Sequence, residues 1–138
     1  MNKRILSDCL RTAKANLSNH VEYSNYPVFS FIVQDNKVLG WGTNASGDVD
    51  GPLAAMYNSR VAHNNFRSKI HAEFRCYIKC KGLLQRDKTF EVVNIRLNRR
   101  YETRLAAPCS CCTKFLNSLN CSHAYFSTDI GWAKQVFL

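Results

Sequence analysis

The sequence predicts an α/β domain: a mixed sheet with helices packed around it. Three observations lead there. Apolar residues near the start recur at helical spacing. Two β-rich runs flank a short polar turn between residues 28 and 43. Further on, a strand, a helix and a strand follow one another, and that order implies a parallel pair. At 138 residues the chain reads as one domain, 1–138, large enough for a core.

The elements follow in order. From Lys3 to about Asn19, apolar Ile5, Leu6, Cys9, Leu10, Ala13 and Leu17 mark an amphipathic helix. Pro27 opens a first strand, Val28 to Val33. Gln34-Asp35-Asn36 makes a turn, and Lys37 to Thr43 completes a hairpin. Asn44 closes the second strand. Residues 45–70 read as an insertion: a turn-rich loop over 45–51, then Pro52 at a first helical position. Leu53, Ala54, Met56, Tyr57, Val61 and Phe66 supply the apolar positions of a further helix.

A helix from about Ile70 to Lys81 comes next, stopped near Gly82. It carries His71 and Glu73 in its first turn, where the helix's partial positive charge favours an ionised Glu73. Cys76 and Cys80 share a face of it, and buried packing accounts for them, since no His or further Cys is spaced to complete a second metal set. Phe90 to Asn98 is a third strand, with Val93, Ile95 and Leu97 on one face. Arg99 to Arg104 is a polar connection. Cys109 to about Leu119 is a helix with Phe115, Leu116 and Leu119 apolar, and Ala124 to Thr128 is a fourth strand. Asp129 caps a last short helix through Leu138. The sheet therefore has four to five strands, the fifth missing or reduced to a stub at Gln135-Val136-Phe137-Leu138. There is no internal repeat and no low-complexity segment.

Chemistry concentrates in His71-Ala72-Glu73 and Pro108-Cys109-Ser110-Cys111-Cys112. Read together they spell H-x-E followed by P-C-x-x-C. One imidazole and two thiolates fill three positions of a tetrahedral Zn²⁺ and leave the fourth for water. Such an ion lowers the pKa of that water toward about 7. A carboxylate two residues from the His is placed to take and return protons. Each half alone is weak, because a lone C-x-x-C also serves redox pairs and zinc knuckles. The conjunction is the specific signal.

This signature resembles the zinc-dependent cytidine deaminase-like superfamily, which includes cytidine and deoxycytidylate deaminases and the AID/APOBEC-like and TadA-like nucleobase deaminases. The resemblance covers nearly the whole chain. It implies a three-layer α/β/α fold around Zn²⁺, with His71, Cys109 and Cys112 as ligands and Glu73 as the catalytic proton carrier. Family spacing selects Cys109 and Cys112 and leaves Cys111 a spectator. By the same resemblance, zinc-activated water attacks C4 of cytosine or C6 of adenine and ammonia leaves. Asn44 would meet the substrate sugar, although a turn Asn bonding its own backbone suits that place equally. The Ala72 amide would contact the base and the Ser110 carbonyl would receive the amine. The loop after the fourth strand, Ser127, Thr128 and Asp129, would hold the base, with Trp132 for stacking or for the core.

The net charge is +9, and residues 60 to 104 hold twelve Lys or Arg against four acids. A basic field beside the motif favours a polyanion or a nucleotide phosphate. A solubilising surface is the plain alternative. Arg60, Arg67 and Lys69 in the insertion, with His63, suit a pocket rim or a packing helix. Arg99, Arg100 and Arg104 around Tyr101 resemble a nucleic-acid contact surface. The expected reaction is deamination of cytosine to uracil in single-stranded nucleic acid, with ssDNA ahead of RNA. Free cytidine or deoxycytidylate, and tRNA-type adenosine, are the alternative substrates. A zinc-stabilised nucleic-acid-binding module is the non-enzymatic alternative.

No apolar run approaches the roughly 18 residues of a membrane span. Met1 to Leu6 meets Ser7-Asp8 too early for a signal-peptide core. A cytoplasmic home is expected, where thiols stay reduced. Seven cysteines, three of them within four positions, suit metal ligation better than a disulfide framework.

Overall fold

The structure is a computed structural model and describes residues 1–19, 27–44, 52–57, 59–60 and 71–137. The described elements are α1 (Lys3–Asn16), β1 (Val28–Gln34), β2 (Lys37–Thr43), α2 (Pro52–Tyr57), α3 (Ala72–Cys80), β3 (Phe90–Leu97), β4 (Thr103–Arg104), α4 (Ser110–Ser118), β5 (Cys121–Thr128) and β6 (Gly131–Val136). Short 3-10 turns extend α1 over Leu17–Asn19 and α3 over Lys81–Leu83. No helix among the described residues is long and apolar enough to cross a membrane.

Six strands form one mixed sheet in the order β2-β1-β3-β5-β6, with β4 paired to β3. Among the described strands only β3 and β5 run parallel, joined through α4. The fold is therefore α/β with a mixed sheet, as expected, but the described residues form six strands rather than four or five.

Local chemistry explains the frame. Asn2 caps α1 by accepting from the Arg4 amide at 2.8 Å, and Ile5, Leu6, Cys9, Ala13 and Leu17 bury one stripe of the helix. Asp35 and Asn36 both take positive φ, 53° and 59°, the two-residue turn that matches strand twist in a hairpin. β1 lies between β2 and β3 and is buried from Phe29 to Gln34. Its alternate residues feed two cores. Phe29, Phe31 and Val33 join α1 with Val93, Ile95 and Leu97. Ile32 joins α3 and α4 through Phe74, Cys76, Cys112 and Leu116. The sheet is thus covered by α1 on one face and by α3 and α4 on the other.

Gly42 lets α3 sit directly on β2. A Cβ there would lie 2.8 Å from the backbone nitrogen of Cys76, closer than packing allows.

The chain end differs from expectation. Residues 131–136 form strand β6, antiparallel to β5, not a short helix capped by Asp129. Thr128 Oγ1 accepts from the Ile130 amide, and Gly131 takes a φ of 153°, so the chain reverses at once. Trp132, Lys134 and Val136 then face solvent at a period of two. The missing or stub strand is a full one, and β5 itself starts at Cys121, three residues before the expected Ala124. The connection after β3 is a tight hairpin. Asn98 Oδ1 accepts from the Arg100 and Glu102 amides, and Tyr101 takes a φ of 64°. Gly82 is not in the left-handed conformation of a helix-ending glycine.

Candidate metal centre and cleft

The two motif halves meet at helix starts. His71 is the N-cap of α3, just outside its first turn, and Cys109 is the N-cap of α4. Both caps have extended backbones; the His71 side chain makes no capping bond, while that of Cys109 turns back over the first turn of α4. Cys112 lies in the first turn of α4, fully buried, and its amide donates to Cys109 Sγ at 3.4 Å.

His71 Nδ1 stands 3.3 Å from Cys112 Sγ and 3.5 Å from Cys109 Sγ. All three donor atoms lie within 4.8 Å of one another. Donors on a tetrahedral ion, with bonds of about 2.1 Å to nitrogen and about 2.3 Å to sulfur, stand roughly 3.5 Å apart. The spacing fits, and His71, Cys109 and Cys112 can coordinate a metal ion. Cys111 does not belong to the set among the described residues. Without a metal, the bonds from Cys112 and His71 pull Cys109 down to about 3, whereas the same Cys109 bond and burial push Cys112 up, so the two thiols share one proton. The bond to Cys109 raises His71, while burial and the nearby Arg96 charge oppose that rise.

Glu73 is in the first turn of α3 and only 6% exposed. Burial raises its pKa; a hydrogen bond from its own backbone and the His71 charge offset part of the rise. Asn94 Nδ2 donates to Glu73 Oε2 at 3.1 Å and to Ala106 O at 3.3 Å. Ser30 Oγ donates to Asn94 Oδ1 at 2.6 Å. Ser30 and Asn94 are both 0% exposed, so a chain of buried polar groups fixes the carboxylate from the core of the sheet.

Beside the cluster opens a cleft of about 150 Å³, lined by Val28, Asn44, His71, Ala72, Glu73, Arg96, Leu105, Ala106, Ala107 and Cys109. Of the expected site residues, His71, Ala72, Glu73, Cys109 and Asn44 come together here. The Oδ1 of Asn44 accepts from the Val28 amide at 3.0 Å, so that oxygen serves the strand. Ser110 is exposed at the start of α4 and does not line the cleft. Neither do Ser127, Thr128 and Asp129. Ser127 is fully buried; its Oγ donates to Arg104 O at 2.7 Å and accepts from the Arg96 amide at 3.0 Å.

The expected nucleic-acid contacts are scattered. Arg67 and Lys69, like His63, fall outside the described residues. Arg60 packs its guanidinium 5.8 Å from the Phe115 ring centre. Arg99 and Arg100 sit exposed at the tip of the β3–β4 hairpin. Arg104 is half-buried, 3.7 Å from Glu102. Trp132 lies on β6 opposite Ser127 and is partly exposed.

Three contributors escaped the sequence reading. Asn94 and Ser30 left a signal, each a polar residue inside an apolar strand run. Tyr57 is 1% exposed and its ring, tilted 46° to that of His71 at 5.6 Å between centres, packs against the imidazole from α2. No protein-family model matches this sequence, and no curated protein matches it.

Proposed function

We propose that this chain is a zinc-dependent nucleobase deaminase that converts cytosine to uracil in single-stranded nucleic acid, with single-stranded DNA its foremost substrate. The carrying observation is Glu73. A purely structural metal site has no use for a buried carboxylate held beside a three-donor cluster. Here a hydrogen-bond chain from the sheet core orients that carboxylate, and burial raises its proton affinity. The imidazole and two thiolates form the mixed N/S set that suits zinc. When bound, zinc would supply a Lewis-acidic position that ionises water near neutral pH.

The residues of the chain do the rest. His71 and Cys109 approach from two helix starts, so the donor set is fixed before any ligand arrives. Glu73 takes a proton from the attacking water and delivers it to N3 of cytosine, then takes the second proton from the new hydroxyl at C4 and delivers it to the departing amine, as the C4–N bond breaks and the carbonyl forms. Water is consumed, and uracil and ammonia are produced. Asn94 keeps Oε2 aimed during these transfers. Val28 and Ala106 give the cleft its apolar walls. A base must be unpaired to enter so small a cleft.

The test is mass spectrometry of cytosine-containing single strands of DNA and RNA, deoxycytidine, dCMP and adenosine after incubation with zinc-loaded protein. A gain of about 1 Da at cytosine, with ammonia released, is expected. Turnover of strands should fall as salt rises. Binding of strands with no mass change on any substrate would refute the enzyme reading and leave a binding module.

A further inference from the structure

Among the described residues, Arg96 is the guanidinium that lines the cleft. It lies two residues beyond Asn94 on β3, so both project from the same face of the sheet. Asn94 reaches Glu73, and Arg96 reaches the next stretch of the cleft wall, beside Val28, Asn44 and Leu105. In register, Arg96 stands opposite Val28 on one side and Arg104 on the other. Residues directly opposite across antiparallel strands share a face with Cβ atoms roughly 4.5–5.5 Å apart, and like charges so placed repel.

The two arginines are not equally satisfied. Arg104 has Glu102 at 3.7 Å and donates to Thr103 O. Among the described residues no carboxylate pairs with Arg96, and its Nε is buried with no hydrogen-bond partner. A buried guanidinium nitrogen without an acceptor is costly. It persists where a water or a ligand supplies the acceptor, and facing the cleft it is open to either. Val28 and Leu105 are the apolar members of that wall and Asn44 the polar one, so a single anionic group there would meet the fork of guanidinium donors, the geometry in which Arg binds phosphate.

We infer that Arg96 is a phosphate-recognition residue of this cleft, so that its substrates carry a phosphate on the sugar and are not free bases or nucleosides. The inference rests on the deaminase reading for the identity of the ligand and names the class of molecule that site takes. The phosphate belongs either to a free nucleotide or to the backbone of a strand.

Equilibrium binding separates these. The ligands are dCMP, deoxycytidine and a five-nucleotide single strand with a central cytosine, titrated into zinc-loaded wild type, Arg96→Met and Arg96→Lys. Wild type is expected to bind at least one phosphate-bearing ligand about tenfold or more tighter than deoxycytidine. Arg96→Met should erase that ratio, and Arg96→Lys, which keeps the charge but not the fork, should retain part of it. Preference for dCMP identifies a free nucleotide; preference for the strand alone identifies a phosphodiester. Wild type that binds deoxycytidine as tightly as both, or binds none of the three, overturns the inference. So does Arg96→Met weakening every ligand by one common factor, the mark of a structural role. Phosphate-selective binding that depends on Arg96, with no deamination of any ligand, would keep this assignment and refute the deaminase reading.

Discussion

The buried chain Ser30–Asn94–Glu73 makes a quantitative prediction. Ser30→Ala removes the donor of a 2.6 Å bond and leaves Asn94 Oδ1 without one. An orphaned buried acceptor costs about 1–3 kcal/mol. Asn94→Ala is worse, because it strands the Ser30 hydroxyl, Glu73 Oε2 and Ala106 O together. Relaxation around a site limits such losses, so about 3–5 kcal/mol is expected, within the roughly 5–15 kcal/mol that holds a domain folded. Once Asn94 is gone the Ser30 hydroxyl has no partner to lose. The double variant should therefore be no less stable than Asn94→Ala, a coupling of about 1–3 kcal/mol. Urea unfolding of the four proteins at equal m-values measures it. Turnover adds a second readout: Ser30 does not line the cleft, yet Ser30→Ala should lower kcat with KM little changed, because Glu73 loses its aim. Stability losses that add to within about 0.5 kcal/mol, or an unaltered kcat in Asn94→Ala, would refute the relay.

Other expectations follow from the same site. Glu73→Gln should cut turnover about 10²–10⁴-fold while elemental analysis shows unchanged metal content. Burial raises Glu73, so the folded metal-free protein holds that proton more tightly than the unfolded chain, and this group's contribution to stability falls as pH rises from the ordinary carboxylate value through the raised one. Metal-free Glu73→Gln should lack that slope and melt above wild type at neutral pH; a lower melting point would contradict it. Cys109→Ser and Cys112→Ser should each lose bound zinc, whereas Cys111→Ser should keep one ion per chain, and the reverse pattern would reassign the ligands. Gly42→Ala should cost about 1–3 kcal/mol, because its Cβ meets the α3 backbone at 2.8 Å; an unshifted thermal melt would show that α3 gives way freely.

Much of the candidate centre was legible because its information is local. His71, Glu73, Cys109 and Cys112 are defined by spacing within two short segments, and each segment opens a helix. The α1 stripe and the β1–β2 hairpin were legible for the same reason, the hairpin through Asp35-Asn36. What sequence missed depends on partners far along the chain. Asn94 looked like any inward strand residue until β1 brought Ser30 to it across 64 positions. Arg96 showed no sign of lining a cleft until Arg104 folded back beside it. β6 carries a helical signal in its sequence, because Ala133, Lys134 and Gln135 are good helix formers. Its outward face mixes Trp132, Lys134 and Val136, so no apolar alternation marked it. β4 is two residues long and lies below any periodic signal. Asn98, which folds the loop around its own side chain, hid the β3–β4 hairpin inside a run that reads as solvated.

The position of β1 sets the order in which this chain becomes safe in the ribosome's wake. Val28 to Val33 is apolar, β-prone and destined for burial on both faces, yet its inner neighbour β3 begins at Phe90. Until those residues emerge, the nascent hairpin presents a sticky, half-finished ribbon of the kind that nucleates aggregates. Pro27, which lacks an amide proton, and Asp35 bracket that ribbon as gatekeepers. Closure of the β1–β3 seam is a non-local and therefore slow step, and weakening either bracket should lower soluble yield before it changes the finished molecule.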